Sequence, residues 1–150
     1  MVFDSMLTIA LLGTGLLGEA IGRRLLEQGV TLKVWNRTAA KCQPLVEQGA
    51  VLIKNLAGAA KGCHAVITVL RDGPVSAEVI AELGDLDAVC CLPMGTMGIS
   101  ESRQLELQVQ AQQGAYLEAP VLGSKPEARK GTLLVMAGGD AAVFEQQLPL

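Results

Sequence analysis

An apolar run ends directly on Gly13-Thr14-Gly15-Leu16-Leu17-Gly18, and that juxtaposition constrains the fold more than any other feature of the chain. Residues 7–12 are almost unbroken in apolar character, as a strand buried on both faces must be. Beyond the glycines, Leu17, Ile21 and Leu25 recur every four residues with Ala20 beside them, while Arg23, Arg24 and Glu27 fall elsewhere on the wheel. This pattern predicts an amphipathic helix over residues 16–28, stopped near Gly29. Strand, Gly-x-Gly-x-x-Gly turn and helix in that order make a cradle for a pyrophosphate. Gly13 permits the tight turn, Gly15 lets backbone approach the phosphates with no Cβ in the way, and Gly18 lets the helix lie close to the strand. The helix start adds unpaired N–H groups and the positive end of its dipole. In a chain with 17 glycines the alternative is an ordinary strand-to-helix turn. A second strand in register favours a dinucleotide site.

The alternation continues. Thr31–Trp35 reads as a strand, 39–48 as a helix ending at Gly49, 51–53 as a short strand and 56–61 as a weaker helix. Strands over 65–70 and 88–92 flank a helix near 75–83. A long helix over 100–113 precedes a strand over 116–119, a Gly/Pro-rich loop over 120–130 and a strand over 132–137, and Asp140 is placed to cap a last helix. Alternating strands and helices imply parallel pairing with right-handed crossovers. The expected fold is α/β: one Rossmann-type domain over 1–150, doubly wound, its mostly parallel sheet carrying helices on both faces. At 50% hydrophobic but only 3% aromatic residues, its core must be aliphatic.

The second strand ends on Asn36-Arg37-Thr38. An NAD site usually carries Asp or Glu there, to accept hydrogen bonds from the adenine ribose. Without that carboxylate nothing repels a 2′-phosphate, and Arg37 offers a planar fork of donors, with Asn36 and Thr38 as neutral ones. NADP(H) is therefore the expected cofactor. The alternative makes Arg37 a solvated loop arginine and Thr38 only a helix cap.

Other classes are disfavoured. The net charge is −3 and no stretch gathers Lys and Arg on one face, so nucleic acid is not expected as a partner. Cys42, Cys63, Cys90 and Cys91 show no Cys-x-x-Cys spacing and His64 is the single histidine, so neither a metal site nor a disulfide framework is expected. Residues 1–6 contain no basic leader region, and no apolar run approaches a membrane span. A soluble cytoplasmic protein is the expectation.

The segments Gly13–Gly18, Val34-Trp35-Asn36-Arg37-Thr38 and Lys41-Cys42 resemble the β-hydroxyacid dehydrogenase family, above all its glyoxylate and succinic semialdehyde reductase branch. Thr68-Val69-Leu70-Arg71-Asp72, Leu92-Pro93-Met94-Gly95-Thr96, Glu118-Ala119-Pro120-Val121-Leu122-Gly123-Ser124-Lys125, and Gly131-Thr132-Leu133 with Gly138-Gly139 agree with it. The likeness covers nearly the whole chain from Leu7. It implies that Leu70 and Arg71 lie along the cofactor toward its nicotinamide end, that Thr96 contacts the nicotinamide nucleotide, and that Gly123 and Ser124 face a substrate carboxylate. Lys125 is a further carboxylate contact or a solvated loop lysine. Leu122 departs from the family, many of whose members carry serine there; a leucine donates no hydrogen bond.

The family's catalytic lysine belongs to a following helical domain absent from this chain, so the resemblance gives these residues no catalytic group. It implies the cofactor half of an NADPH-dependent 3-hydroxyisobutyrate dehydrogenase-like oxidoreductase. The substrate would be a small carboxylate-bearing aldehyde, keto acid or hydroxyacid, the whole protein a homodimer through the helical domain, and this chain alone inactive. Two other readings stand beside it: a non-catalytic NADP(H)-binding sensor or partner-dependent module, and an imine reductase sharing the Asn-Arg-Thr signature.

Overall fold

The computed structural model describes residues 7–150; residues 1–6, on which the expectation of no basic leader region falls, lie outside the described residues. Strand β1 (Thr8–Leu12) is central, and from Ile9 to Leu12 its side chains are fully buried. Helix α1 (Leu16–Glu27) follows, then β2 (Thr31–Trp35), paired parallel to β1 with Leu12 opposite Trp35. Next come a short 3-10 turn (Ala39–Cys42), α2 (Gln43–Val46), β3 (Val51–Leu52), β4 (Ala65–Thr68), α3 (Gly73–Glu82), β5 (Cys90–Pro93), α4 (Ile99–Ala111) and β6 (Ala115–Glu118). The chain then forms β7 (Val121–Leu122), α5 (Lys125–Lys130), β8 (Leu134–Val135), β9 (Gly138–Gly139) and α6 (Ala141–Gln147).

The main sheet runs β3-β2-β1-β4-β5-β6-β9, parallel as far as β6 and antiparallel at β9. Alternate residues of each strand face opposite layers. Ile9 and Leu11 of β1 pack with Ile21 and Leu25 of α1, Leu45 of α2 and Ala128 of α5. Ala10 and Leu12 pack instead with Val79 and Ile80 of α3 and Leu105 and Val109 of α4. The doubly wound fold is thus as expected, and the strand order reverses between β1 and β4, where open α/β sheets bind ligands.

Several expected elements differ. Residues 57–62 form turns in place of the helix expected over 56–61, with Gly58 and Gly62 in the left-handed region at φ of 73° and 78°. The helix expected over 39–48 divides into the 3-10 turn and α2, because Pro44 sits in the first turn of α2 and lacks the N–H that would join it to the preceding turn. The strand expected from Ala88 starts at Cys90, since Asp87 and Ala88 are both left-handed, at φ of 47° and 66°.

The expected loop over 120–130 contains β7 and α5. Ser124 stands at the N-cap of α5 with Glu127 reaching back to its amide, Pro126 stands in the first turn, and Gly131 ends the helix in the left-handed region at φ 70°. Of the strand expected over 132–137 only Leu134–Val135 forms, and it pairs antiparallel with β7 in a separate two-stranded ribbon. Asp140 caps α6 as expected, its Oδ1 accepting from the Ala142 and Val143 amides at 2.8 and 3.2 Å. None of the helices among the described residues is long and apolar enough to cross a membrane.

Candidate functional site

The three glycines after β1 divide the work among them. Gly13 adopts φ 106°, and a Cβ there would run into the Val69 carbonyl oxygen. A Cβ at Gly18 would collide with the Gly13 carbonyl. Both are glycine because the fold leaves them no room. At Gly15, φ is −67° and a Cβ would meet nothing within 4 Å. Neither backbone conformation nor packing requires glycine there, so the open space beside Gly15 is what a side chain would fill and a ligand's pyrophosphate can use.

That space lies at the start of α1. The first helical bond runs from the Glu19 amide to the Gly15 carbonyl at 2.8 Å, and Gly15 has no side chain to cap the turn. Helix geometry therefore leaves the Leu16, Leu17 and Gly18 amides without intrahelical acceptors, pointing toward an incoming anion. Leu16 is 77% exposed, whereas Leu17 packs partly against the core.

The turn is tied to the end of β2. The Gly13 amide donates to the Trp35 carbonyl at 2.8 Å, and the Thr14 amide to Asn36 Oδ1 at 3.0 Å. Asn36 Nδ2 donates to the Thr38 carbonyl at 3.1 Å. The Asn36 side chain thus links the glycine turn to the loop after β2, a positioning role beside the ligand-donor role expected from the sequence. Thr14 is buried, with Oγ1 3.6 Å from Cys42 Sγ. Thr38 makes no side-chain cap to the following turn. Arg37 is well exposed, and its Nη2 lies 3.7 Å from Glu78 Oε2 on α3.

The loops after β4 and β5 close on the same point. Leu70 Cδ2 would lie 3.1 Å from a Cβ on Gly13, and a Cβ at Gly95 would come within 2.7 Å of the Leu70 carbonyl oxygen. Gly95 thereby lets the segment bearing the exposed Thr96 run against Leu70. Arg71 Nε donates to Asp72 Oδ2 at 2.7 Å, while Asp72 Oδ1 caps α3 by accepting from the Val75 amide at 3.0 Å. The Val75 bond, with Arg71 beside it, holds the Asp72 carboxyl below the usual carboxylate range.

Gly123, Ser124 and Lys125 stand apart in their contacts, at the start of α5, which packs on α1. Both the Ser124 amide and Oγ donate to Glu127 Oε2 at 2.7 Å, and this hydrogen bonding holds Glu127 below the usual carboxylate range. His64, at the start of β4, accepts at Nδ1 from the Thr8 amide at 3.3 Å. The four cysteines are buried, and burial pushes Cys90 and Cys91 up to about 12, far from thiolate chemistry. Among the described residues no cluster of His, Cys, Asp and Glu could hold a metal.

Sequence reading missed Glu78. Its place on an exposed helix face is legible, but its meeting with Arg37 is a tertiary contact with no local signal.

Comparison with known proteins agrees with this geometry. Residues 8–150 match the NAD binding domain of 6-phosphogluconate dehydrogenase. The chain is 34% identical over 146 residues to glyoxylate/succinic semialdehyde reductase 1 of Arabidopsis thaliana, covering 94% of this chain and 50% of that protein. A 3-hydroxyisobutyrate dehydrogenase of Mycobacterium tuberculosis shares the fold with a TM-score of 0.88 at 24% identity, over 96% of this chain and 50% of the other. A reductive aminase of Aspergillus terreus, solved with NADPH and ethyl levulinate, superposes with a TM-score of 0.84 at 26% identity, over 97% and 53%. The chain thus spans about half the length of these proteins.

Proposed function

This chain belongs to the family of the NAD binding domain of 6-phosphogluconate dehydrogenase, and from that premise we propose that it is the NADP(H)-binding part of a reductase or dehydrogenase of small β-hydroxyacids, aldehydes or keto acids. The observation that carries the cofactor reading is Gly15, a glycine that neither packing nor backbone requires, set at the open end of α1. The phosphate preference draws on the end of β2, where Asn36 replaces the usual carboxylate and Arg37 is exposed beside it. The reductive aminase solved with NADPH is in line with it.

When bound, the nicotinamide supplies hydride transfer to or from the substrate carbon. The chain's own residues bind and orient: the α1 amides take the pyrophosphate, Arg37 the 2′-phosphate, and the Leu70 and Thr96 loops border the nicotinamide end. Proton transfer is assigned to groups beyond these residues in a protein of about twice this length, so the chain by itself should turn over poorly. A homodimer and a cytoplasmic location belong to the same proposal.

An imine reductase is a second reading, favoured by one observation. The Ser124 amide and hydroxyl, donors assigned by resemblance to a substrate carboxylate, are both engaged by the chain's own Glu127, and Leu122 adds no donor. An imine substrate needs no such contact.

Titration of the chain with NADPH and NADH by calorimetry, repeated with Gly15→Ala and Arg37→Ala, tests the proposal. Gly15→Ala should leave the unfolding midpoint unchanged and weaken both cofactors at least about tenfold, because its methyl group fills the pyrophosphate space. Arg37→Ala should weaken NADPH alone. Equal binding of NADPH and NADH by the unmodified chain would remove the NADP(H) assignment, and full binding by Gly15→Ala would remove the site.

A further inference from the structure

Arg37 already has an anionic partner, and the meaning of that contact rests on the NADP(H) reading proposed for the site. Arg37 leaves the carboxyl end of β2, whereas Glu78 belongs to α3, the helix that follows β4. In the sheet β1 lies between β2 and β4. The 3.7 Å contact between Arg37 Nη2 and Glu78 Oε2 therefore bridges the two walls of the crevice at whose floor the Gly13–Gly18 turn begins. A side chain on one wall holds the group on the other that is to grip the phosphate.

As a stabilising contact the pair amounts to little. The two side chains are 72% and 70% exposed, and solvated ion pairs of this kind contribute almost nothing to folding. The same exposure leaves the guanidinium free to exchange its carboxylate partner for a stronger, bidentate anion. A phosphate on Arg37 must displace Glu78 and then remain within a few ångströms of a like charge.

We propose that Glu78 is a specificity-determining residue: its carboxylate competes with the cofactor's 2′-phosphate for Arg37 and narrows the preference for NADPH over NADH. NADH carries no 2′-phosphate and does not meet this competition. The remainder of the dinucleotide, held by the glycine turn and the α1 amides, is indifferent to Glu78. For exposed charges at this separation the effect on phosphate binding is about three- to tenfold, and it shrinks as salt screens it.

The test uses adenosine 2′,5′-bisphosphate and adenosine 5′-monophosphate as probes of the full chain, by calorimetry at two salt concentrations. Glu78→Gln should bind the bisphosphate about three- to tenfold tighter and Glu78→Lys tighter still, with the monophosphate unchanged for both. The gain should fall at high salt and disappear in the Arg37→Ala/Glu78→Gln double variant. If the bisphosphate is bound no better by Glu78→Gln, while the unmodified chain prefers it over the monophosphate and Arg37→Ala loses that preference, the competition is overturned and the cofactor reading stands. Weaker monophosphate binding by Glu78→Gln would instead make Glu78 a ribose ligand and also overturn it. An unmodified chain with no preference for the bisphosphate overturns the phosphate reading itself, and the role given to Glu78 falls with it.

Discussion

Leu11 and Leu148 are the same side chain in opposite circumstances. Leu11, in the middle of β1, is fully buried, with β2 and β4 on its flanks and α1 and α2 above it. Leu148, at the end of α6, is 63% exposed. Their surroundings differ in the same way: Ile9 to Leu12 form an unbroken buried run, while Leu134, Val135, Met136 and Phe144 all face solvent to a large extent and α6 buries none of its residues. An apolar cleft of about 360 Å³ opens beside them, between Ile21 and Leu25 of α1, Leu117 of β6 and Phe144 and Leu150. Apolar residues make a core only where two layers close on them. The first third of the chain has both layers, and its last twenty residues have one.

The contrast is most vulnerable at its two ends. Leu11→Ala should cost about 4 kcal/mol, because the close-packed layers around β1 cannot collapse into the space left behind. Urea unfolding measures it, and a loss below about 1 kcal/mol would mean that the central strand is not the keystone of the fold. Gly18→Ala should cost about 2–3 kcal/mol, as the new methyl group forces α1 away from the Gly13 carbonyl. It should weaken NADPH binding as well, in contrast to Gly15→Ala, which spares stability. Leu148→Ser should change stability by no more than about 0.5 kcal/mol. It should also reduce any self-association seen by light scattering at high concentration, since it removes part of an exposed apolar patch.

Legibility in the sequence divides along the same line. In β1, α1 and β2 the local signals agree with one another: an apolar run, glycines at the turn and a four-residue repeat all point to one arrangement, and the structure has it. In the last third they conflict. The glycines and prolines of 120–130 read as loop, yet Ser124-Lys125-Pro126-Glu127 is a capping sequence, with Glu127 reaching back to the Ser124 amide, and it starts a helix. Gly138–Gly139 has no strand propensity of its own and becomes a strand only because the edge of β6 is there to pair with it. At the candidate site the glycine turn and the exposed Arg37 after β2 are local features that a linear pattern carries. The tie between Asn36 and Thr14 and the approach of Glu78 depend on elements brought together by the sheet order, for which a linear pattern holds no signal.

The proposed function requires a dinucleotide to be held by the turn after β1 and not by the apolar cleft beside α6. Amide chemical shifts of the nitrogen-labelled chain, followed while NADPH is added, decide between the two places. The largest changes are expected at Gly13, Gly15, Leu16, Leu17 and Gly18, followed by Asn36, Arg37 and Thr38, with Phe144 and Leu148 undisturbed. Changes centred on Phe144 and Leu148, or no change at Gly15 and Leu16 at saturating NADPH, would contradict it.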